Sequence, residues 1–579
     1  MYGRVAQVVV PGFGFRVSDS GFQDMQIFQN VRLIDGTGSP AYPANVVVEN
    51  GRVTQIGPVR NSEHETRPAR PRVRRSLGEG GSLGEVGNPE QLSAEGAYLA
   101  PGFIDSHTHD DLAVLHQPDH PAKLRQGVTT VVVGNCSFSN YPTAGNDDLK
   151  QHLGSLLGDI ESDDLFPDFT SYKNRLQKIG VGLNVVSLVG HGSLRLAVMG
   201  FEQREPTETE LENMCRLLEK QLRQGAHGLS LGLVYPPSAF AGRSELVRLA
   251  KVVRQSDRLV AAHIRSYEGG LLTSIAEFLD VLRESDAKGL LSHLQVAGKP
   301  YWGTMPAALK LIDEARQQGI DINVDMYPYL AGSSTILQLL PPSAQEGGFS
   351  ALLARLDDPA QYAAIQKLTE PGPQPHSHSH SLWESKVALI GWNNVQIGSA
   401  VHPEIKQYEG KSIGEAARLS GLTPFEFTVH AIRMDQGRTN IIMFQLSDED
   451  LKCVHQYPVQ MVGSDSIPRR GGRPHPRTFG SFPKVVGRFA LKEGLFSLEE
   501  AIRRMTSLPA QRFQLGDRGV IRPGAIADLV LFNDNFLDRA TFEEPELFPS
   551  GLLGVWVDGV RVVNENETLS ERPGRVLHH

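Results

Sequence analysis

The order of apolar and polar positions along the chain divides it into three regions. Near the start, Ile27-Phe28-Gln29-Asn30-Val31-Arg32-Leu33-Ile34 and Asn45-Val46-Val47-Val48-Glu49 are rich in β-branched residues, and the second run turns at Asn50-Gly51 into Arg52-Val53-Thr54-Gln55-Ile56-Gly57. Apolar runs either side of Asn-Gly predict a hairpin, because the tightest turns need residues that accept positive φ. Near the far end, Ile526–Phe532 and Leu553–Val563 have the same character. The two ends are therefore expected to build one small β domain from residues 26–101 and 515–579, preceded by an N-terminal tail, residues 1–25.

In the middle region the period changes. Apolar runs at Val128–Val133, Leu183–Val189, Gly228–Leu233, Leu259–Ile264, Gly289–Leu294, Ile320–Asp325, Asn440–Phe444 and Val459–Val462 read as buried strands, with amphipathic stretches among them. One helix is fully punctuated. Thr207 and Glu210 form a capping box, Leu211, Met214, Leu217, Leu218 and Leu222 recur at helical spacing, and Gly225 stops it. Ser244–Asp257, Leu271–Asp286 and Thr304–Gln318 follow the same pattern. This alternation across residues 102–514 predicts an α/β fold, a (β/α)₈ barrel of the TIM type; an open doubly wound sheet is the other arrangement that the pattern admits.

Two segments break the rhythm. Residues 60–90 are rich in Arg, Gly, Pro and Ser and read as a disordered insert, whose arginines lack the interleaved aromatic residues of a nucleic-acid surface. Residues 371–382, with His376, His378 and His380 beside prolines, read as a flexible insert able to hold a metal only loosely. Composition adds limits. At 579 residues and 40% hydrophobic the chain has enough apolar material for a large core, while a net charge of -9 gives no general attraction to nucleic acid or to an anionic membrane. Cys136, Cys215 and Cys453 are far apart and form no Cys-x-x-Cys pair, which fits a reducing, cytoplasmic setting. No apolar stretch reaches membrane-spanning length, and the first residues lack the apolar core of a signal peptide.

Candidate chemistry gathers where the strands end. His107 and His109 follow a short apolar run two residues apart, so in an extended backbone both side chains lie on one side. Val128–Val133 leads to Cys136, Leu259–Ala262 to His263, Gly289–Ser292 to His293 and Met461–Ser464 to Asp465. Each residue taken singly has an ordinary structural explanation, such as a buried free cysteine or a helix-capping aspartate. Together, four histidines, a cysteine and an aspartate at five strand ends form a transition-metal set, and thiolate with imidazole favours zinc over magnesium or calcium. His191 also ends a strand and is assigned no ligand duty.

The motifs Gly102–Asp111, Gly127–Ser137, Ser230–Ala241, His263-Ile264-Arg265-Ser266, Ser292-His293, Tyr327–Ser333, Gly463-Ser464-Asp465, His475-Pro476-Arg477 and Arg572–Leu577 resemble the amidohydrolase superfamily and, within it, the N-acyl-D-amino-acid deacylases (D-aminoacylases). The resemblance runs from about Ile27 to Leu577 and implies hydrolysis of the amide bond of small N-acyl-D-amino acids. It also implies that Cys136, His263 and His293 hold a tight zinc, with His107, His109 and Asp465 at a weaker second position. Tyr235, Tyr327, Ser333 and Arg477 would contact the substrate, Arg477 through its carboxylate. One departure stands out: Gln295 occupies the place where relatives often carry a lysine two residues after the second zinc histidine. A neutral amide there is expected to disfavour acidic side chains and leave apolar ones preferred.

Amide hydrolysis needs a nucleophile, a polarised carbonyl and a proton for the departing amine. Zinc answers the first two demands, and Asp465 is expected to move the proton. Other readings remain open at this point: a cyclic-amide hydrolase of the hydantoinase or dihydroorotase type, a deaminase of the same superfamily, and a metal-binding scaffold without activity.

Overall fold

The computed structural model describes residues 25–59, 90–94, 96–143, 145, 147–371, 382–565 and 567–578. The N-terminal tail up to residue 24, the insert of residues 60–89, and His376, His378 and His380 lie outside them. In chain order the strands begin with β1 (Met25–Leu33), β2 (Tyr42–Glu49), β3 (Arg52–Gly57), β4 (Glu90–Ser93) and β5 (Tyr98–Pro101). The central region adds β6 (Phe103–Asp105), β7 (Val128–Val133), β8 (Asn184–Ser187), β9 (Val189–Gly190), β10 (Gly228–Gly232), β11 (Leu259–His263), β12 (Lys288–Leu291) and β13 (Ile322–Met326). Then come β14 (Ala331–Thr335), β15 (Val395–Ser399), β16 (Asn440–Phe444) and β17 (Gln460–Val462), and finally β18 (Leu529–Leu537), β19 (Ser550–Val557), β20 (Val560–Asn564) and β21 (Glu567–Thr568).

Both chain ends meet in one sheet, ordered β21-β20-β19-β18-β5-β1-β2-β3, with β4 beside β1. The hairpin turn falls where the sequence places it: Asn50 and Gly51 have φ of 51° and 74°. A Cβ on Gly51 would come within 2.6 Å of the Asp558 carbonyl, so only glycine lets the turns of the two chain ends touch. Phe28, Val46, Val48, Leu99, Leu529, Leu531 and Trp556 share one apolar core, in which the rings of Phe28 and Trp556 meet edge to face at 4.9 Å. Burying each such side chain contributes roughly 1.5–3 kcal/mol relative to leaving it in water.

The central strands pair in parallel, as β6-β7-β8 and as β9-β10-β11-β12-β13-β17. Only Leu188 separates β8 from β9, and the Ser106 N–H just after β6 donates to the carbonyl of Val462 at the end of β17 (3.3 Å). Side chains alternate between two apolar clusters, as the two-residue period of a strand requires. Ile104, Val132, Val186, Ala261, Leu290 and Met461 form one cluster with Leu508 and Phe513. Their neighbours Phe103, Val131, Val185, Val260, Leu291 and Val462 join a larger one shared with the helices.

The helices sit close to their expected bounds. Glu208–Gln224 has the Thr207–Glu210 capping box and ends at Gly225 in a left-handed conformation, and Arg243–Gln255, Leu271–Ser285 and Met305–Gln317 follow. One strand differs from expectation. Asn440–Phe444 pairs antiparallel with β14 and β15 in a small separate sheet, because a five-residue apolar run carries no information on pairing direction. The run Leu183–Val189 is two strands, broken at Leu188.

Candidate metal centre and active site

Each chemical residue stands at or just past a strand end. His107 and His109 follow β6, Cys136 lies three residues beyond β7, His263 closes β11, His293 lies two beyond β12, and Asp465 three beyond β17; all are buried. Cys136, His293 and Asp465 have φ of 50°, 34° and 50°. Non-glycine residues there cost on the order of 1–3 kcal/mol each, a strain that packing tolerates mostly where function needs an aimed side chain. Gly463 lets the β17 end approach, since a Cβ on it would lie 2.5 Å from the Cβ of His107.

The donors converge. Cys136 Sγ lies 3.3 Å from His107 Nε2 and 3.5 Å from His293 Nε2. Asp465 Oδ1 lies 3.3 Å from His109 Nε2 and 3.5 Å from His107 Nε2. Donor atoms of His107, Cys136 and His293 fall within 4.8 Å of one another, as do those of His107, His109 and Asp465, so His107 belongs to both groups. The expected grouping had placed His263, not His107, with Cys136 and His293; here the His263 ring stands beside His293 with centroids 4.4 Å apart.

A tetrahedral zinc with bonds of 2.0–2.3 Å spaces its ligand atoms roughly 3.3–3.8 Å apart, so the cysteine–histidine distances fit that ion. Three buried ring nitrogens, Nδ1 of His109, His263 and His293, also lack a hydrogen-bond partner among the described residues. The nitrogens of His109 and His293 that face the cluster are Nε2, so it is the cysteine–histidine spacing, and not these Nδ1 atoms, that fits an ion there.

The electrostatics favour a thiolate and a carboxylate beside imidazolium. Burial works most strongly against a charged Cys136, yet the charge of His107 and hydrogen bonds from His107, His109 and His263 hold its thiol well below the usual range. Burial likewise opposes an ionised Asp465, but Arg477, with Nη1 2.8 Å from Oδ2, and the His109 hydrogen bond keep it well below the usual carboxylate range. His109 is raised to about 9 against burial by Asp465 and Cys136, while burial and the charge of His293 lower His263 to about 4.

Behind these groups lie residues that sequence reasoning missed. Asp325 accepts the backbone N–H of His293 at 2.7 Å and has a carboxylate oxygen 3.4 Å from His107 Nδ1, so one carboxylate orients the His107 imidazole and holds the backbone that carries His293. Its signal was available: it ends the run Ile320–Asp325. Lys123 is fully buried, its Nζ donating to Asp105 (2.6 Å), Ser464 (2.7 Å), Ser466 (2.8 Å) and Thr108 (3.2 Å), and so ties the His107–His109 segment to the residues flanking Asp465. Nothing local marks it.

The cluster opens into a cavity also lined by Tyr235, Tyr267, Glu268, Gln295, Tyr327, Ser333, Lys386 and Gln445. Of the expected substrate contacts, Tyr235 bonds Ser334 Oγ (3.0 Å), the Tyr327 hydroxyl donates to Gln295 Oε1 (2.7 Å), and Ser333 donates to Asn440 (3.0 Å). Arg477 is fully buried, with its guanidinium 4.7 Å over the Tyr327 ring, and its Nε finds no acceptor among the described residues. His191 takes no part in the cluster: its ring joins Ser238 (2.5 Å) and Glu245 (2.8 Å), bracing the loop that carries Tyr235.

A strand-end set of cysteine, histidines and aspartate on a parallel α/β framework defines a metal-dependent hydrolase class. The family model described as "Amidohydrolase family" matches residues 91–563, and the chain belongs to that family. It is 34% identical to the N-acyl-D-glutamate deacylase of Alcaligenes xylosoxydans xylosoxydans over 546 residues, 94% of each chain. The crystal structure of N-acyl-D-glutamate deacylase from Bordetella bronchiseptica, complexed with zinc and a phosphonate inhibitor, matches with a TM-score of 0.77 and 32% identity, covering 96% of this chain and 100% of that one. A D-aminoacylase structure concerned with a binuclear metal centre matches with a TM-score of 0.76 and 28% identity, covering 96% and 99%.

Proposed function

We propose that this chain is a zinc-dependent deacylase that hydrolyses the amide bond of N-acyl-D-amino acids to a carboxylic acid and a free D-amino acid. The observation that carries it is the convergence of His107, Cys136 and His293 beside His109 and Asp465, in a chain similar over nearly its whole length to named deacylases. Cys136, His263 and His293 would hold the tight zinc, the His263 ring lying beside His293 and hydrogen-bonding the Cys136 thiol, while His107, within reach of Cys136 and His293 as well, would be shared with a weaker position at His109 and Asp465. The presence of Cys136 in the cluster favours this reading over a cyclic-amide hydrolase, and a buried ionised Asp465 favours it over an inert scaffold.

Bound zinc supplies a water of lowered pKa and withdraws charge from a carbonyl oxygen. Asp465, kept ionised by Arg477, accepts the proton of the attacking water and returns it to the departing amine nitrogen. The substrate carboxylate takes the unpaired Nε of Arg477 together with Tyr327 and Ser333, and Tyr235 borders the acyl group. Fixing the carboxylate in one place fixes which face of the α-carbon meets the cluster, a physical route to chiral selection.

The same reading covers the architecture. Residues 102–514 form the (β/α)₈ barrel, closed through the Ser106–Val462 hydrogen bond, and residues 26–101 with 515–579 form the small β domain. No helix among the described residues is long and apolar enough to cross a membrane, and a reducing cytoplasmic setting suits a working thiolate. The test is zinc content measured together with amine release. Wild type is expected to hold about one tight zinc per chain and to release amine from N-acetyl-D-amino acids, and Cys136→Ala to lose both. A Cys136→Ala protein with full zinc and full activity overturns the assignment.

A further inference from the structure

The cavity that the donor cluster opens into also contains a buried ion pair, Lys386 with Glu268, whose side chains are only 9% and 3% exposed. Withdrawing two charges from water costs more than their attraction usually returns, so such a pair at a cavity wall has to be explained by use or by bracing. It is held from both sides. Ser266 Oγ (2.9 Å) and the Tyr267 N–H (3.1 Å) donate to Glu268 Oε2, while Oε1 meets the Lys386 ammonium. Lys386 begins the short helix Lys386–Ile390, and its neighbours fix that start. Glu384 accepts from the Tyr301 hydroxyl (3.1 Å) and the Gly269 N–H (3.3 Å), and Ser385 Oγ donates to Thr369 (2.5 Å).

The pair also borders the chemistry. The residue before Glu268 is Tyr267, whose ring stands 5.1 Å from those of both His263 and His293, and Gln295 and Gln445 line the same cavity. Lys386 therefore supplies a cation that the Gln295 position lacks, with an anion beside it. The expectation of an apolar side-chain pocket took no account of either charge.

We propose that Lys386 and Glu268 form the subsite for the substrate's side chain and select a neutral carboxamide, making N-acyl-D-glutamine or N-acyl-D-asparagine the preferred class; this rests on the deacylase reading above. A carboxamide oxygen accepts from the Lys386 ammonium while its NH₂ donates to Glu268, so both buried charges stay hydrogen-bonded when water leaves. A carboxylate side chain satisfies Lys386 but meets the like charge of Glu268. An aliphatic side chain strips water from both charges and replaces none of the lost hydrogen bonds, the situation in which polar sites discriminate most strongly.

The experiment measures kcat/KM for N-acetyl-D-glutamine, N-acetyl-D-glutamate and N-acetyl-D-methionine on zinc-loaded wild type, Glu268→Gln, Lys386→Met and Lys386→Arg. Wild type is expected to favour D-glutamine over each of the others by on the order of 10–100-fold. Glu268→Gln leaves the ammonium unopposed, so D-glutamate is expected to overtake D-glutamine. Lys386→Met is expected to bring D-glutamine down toward D-methionine and lower D-glutamate further, while Lys386→Arg keeps the wild-type order. A wild-type preference for D-glutamate or D-methionine overturns the proposal, whether or not the variants fold. So does an equal loss on all three substrates in both charge-removing variants, which would leave the pair as a brace. Failure of the deacylase reading looks different: wild type would release amine from none of the three.

Discussion

Asp465 joins the two halves of the proposed chemistry, with one carboxylate oxygen toward His107 and His109 and the other on Arg477. Asp465→Asn keeps the size of the side chain and much of its hydrogen bonding but cannot carry a proton. Turnover is expected to fall by roughly 10²–10⁴-fold while the zinc held by the Cys136 group stays at about one per chain. Near-normal turnover in that variant would remove Asp465 from the mechanism. This residue was legible in the sequence because it follows a short apolar run at the same offset as Cys136. Lys123 and Lys386 were not, since their burial is made by partners distant in sequence, Ser464 and Ser466 for one and Glu268 for the other. The grouping of His107 with Cys136 and His293 was hidden for a related reason: strand-end position says that a residue reaches the mouth, and only the fold says which neighbours it meets there.

Among elements, the join between the helix Arg477–Lys484 and β18 carries a buried group whose charge changes at mildly alkaline pH. Burial pulls Lys484 down to about 8, against the charge of Asp538 on the segment after β18; Arg488 pushes the same way as burial, and Asp448 opposes it. The ammonium lies 3.7 Å over the Tyr329 ring, whose hydroxyl donates to Asp538 (3.0 Å). Between pH 8 and the usual lysine value near 10.5, the unfolded chain binds this proton and the folded chain does not. Stability from this group therefore rises with pH across that window, and the penalty is fully present below it. Lys484→Met removes the group from the balance, so in urea unfolding from pH 7.5 to 10 the wild type is expected to gain on the variant as pH rises. Parallel pH profiles would contradict the argument. Element identity was largely legible, as the Thr207–Gly225 helix and the Asn50-Gly51 turn illustrate, because caps and turns are local chemistry. Pairing direction was not, and so β16 entered the wrong sheet.

For the whole molecule, the two chain ends share a sheet that packs through Phe28 and Trp556, while the parallel strands deliver His107, His109, Cys136, His293 and Asp465 to adjoining groups of buried donors. The shared sheet was legible because both ends carry short apolar runs of the same β-branched character. The proposed function depends on the cluster and on a carboxylate anchor at Arg477 that sets which hand of the α-carbon faces it. The most direct test is to incubate zinc-loaded protein with racemic N-acetylglutamine and resolve the products by chiral chromatography. The account predicts free D-glutamine accumulating to half of the total glutamine, with N-acetyl-L-glutamine left intact. Release of L-glutamine at a comparable rate, or of no amino acid from this or any other N-acetyl racemate, would contradict it.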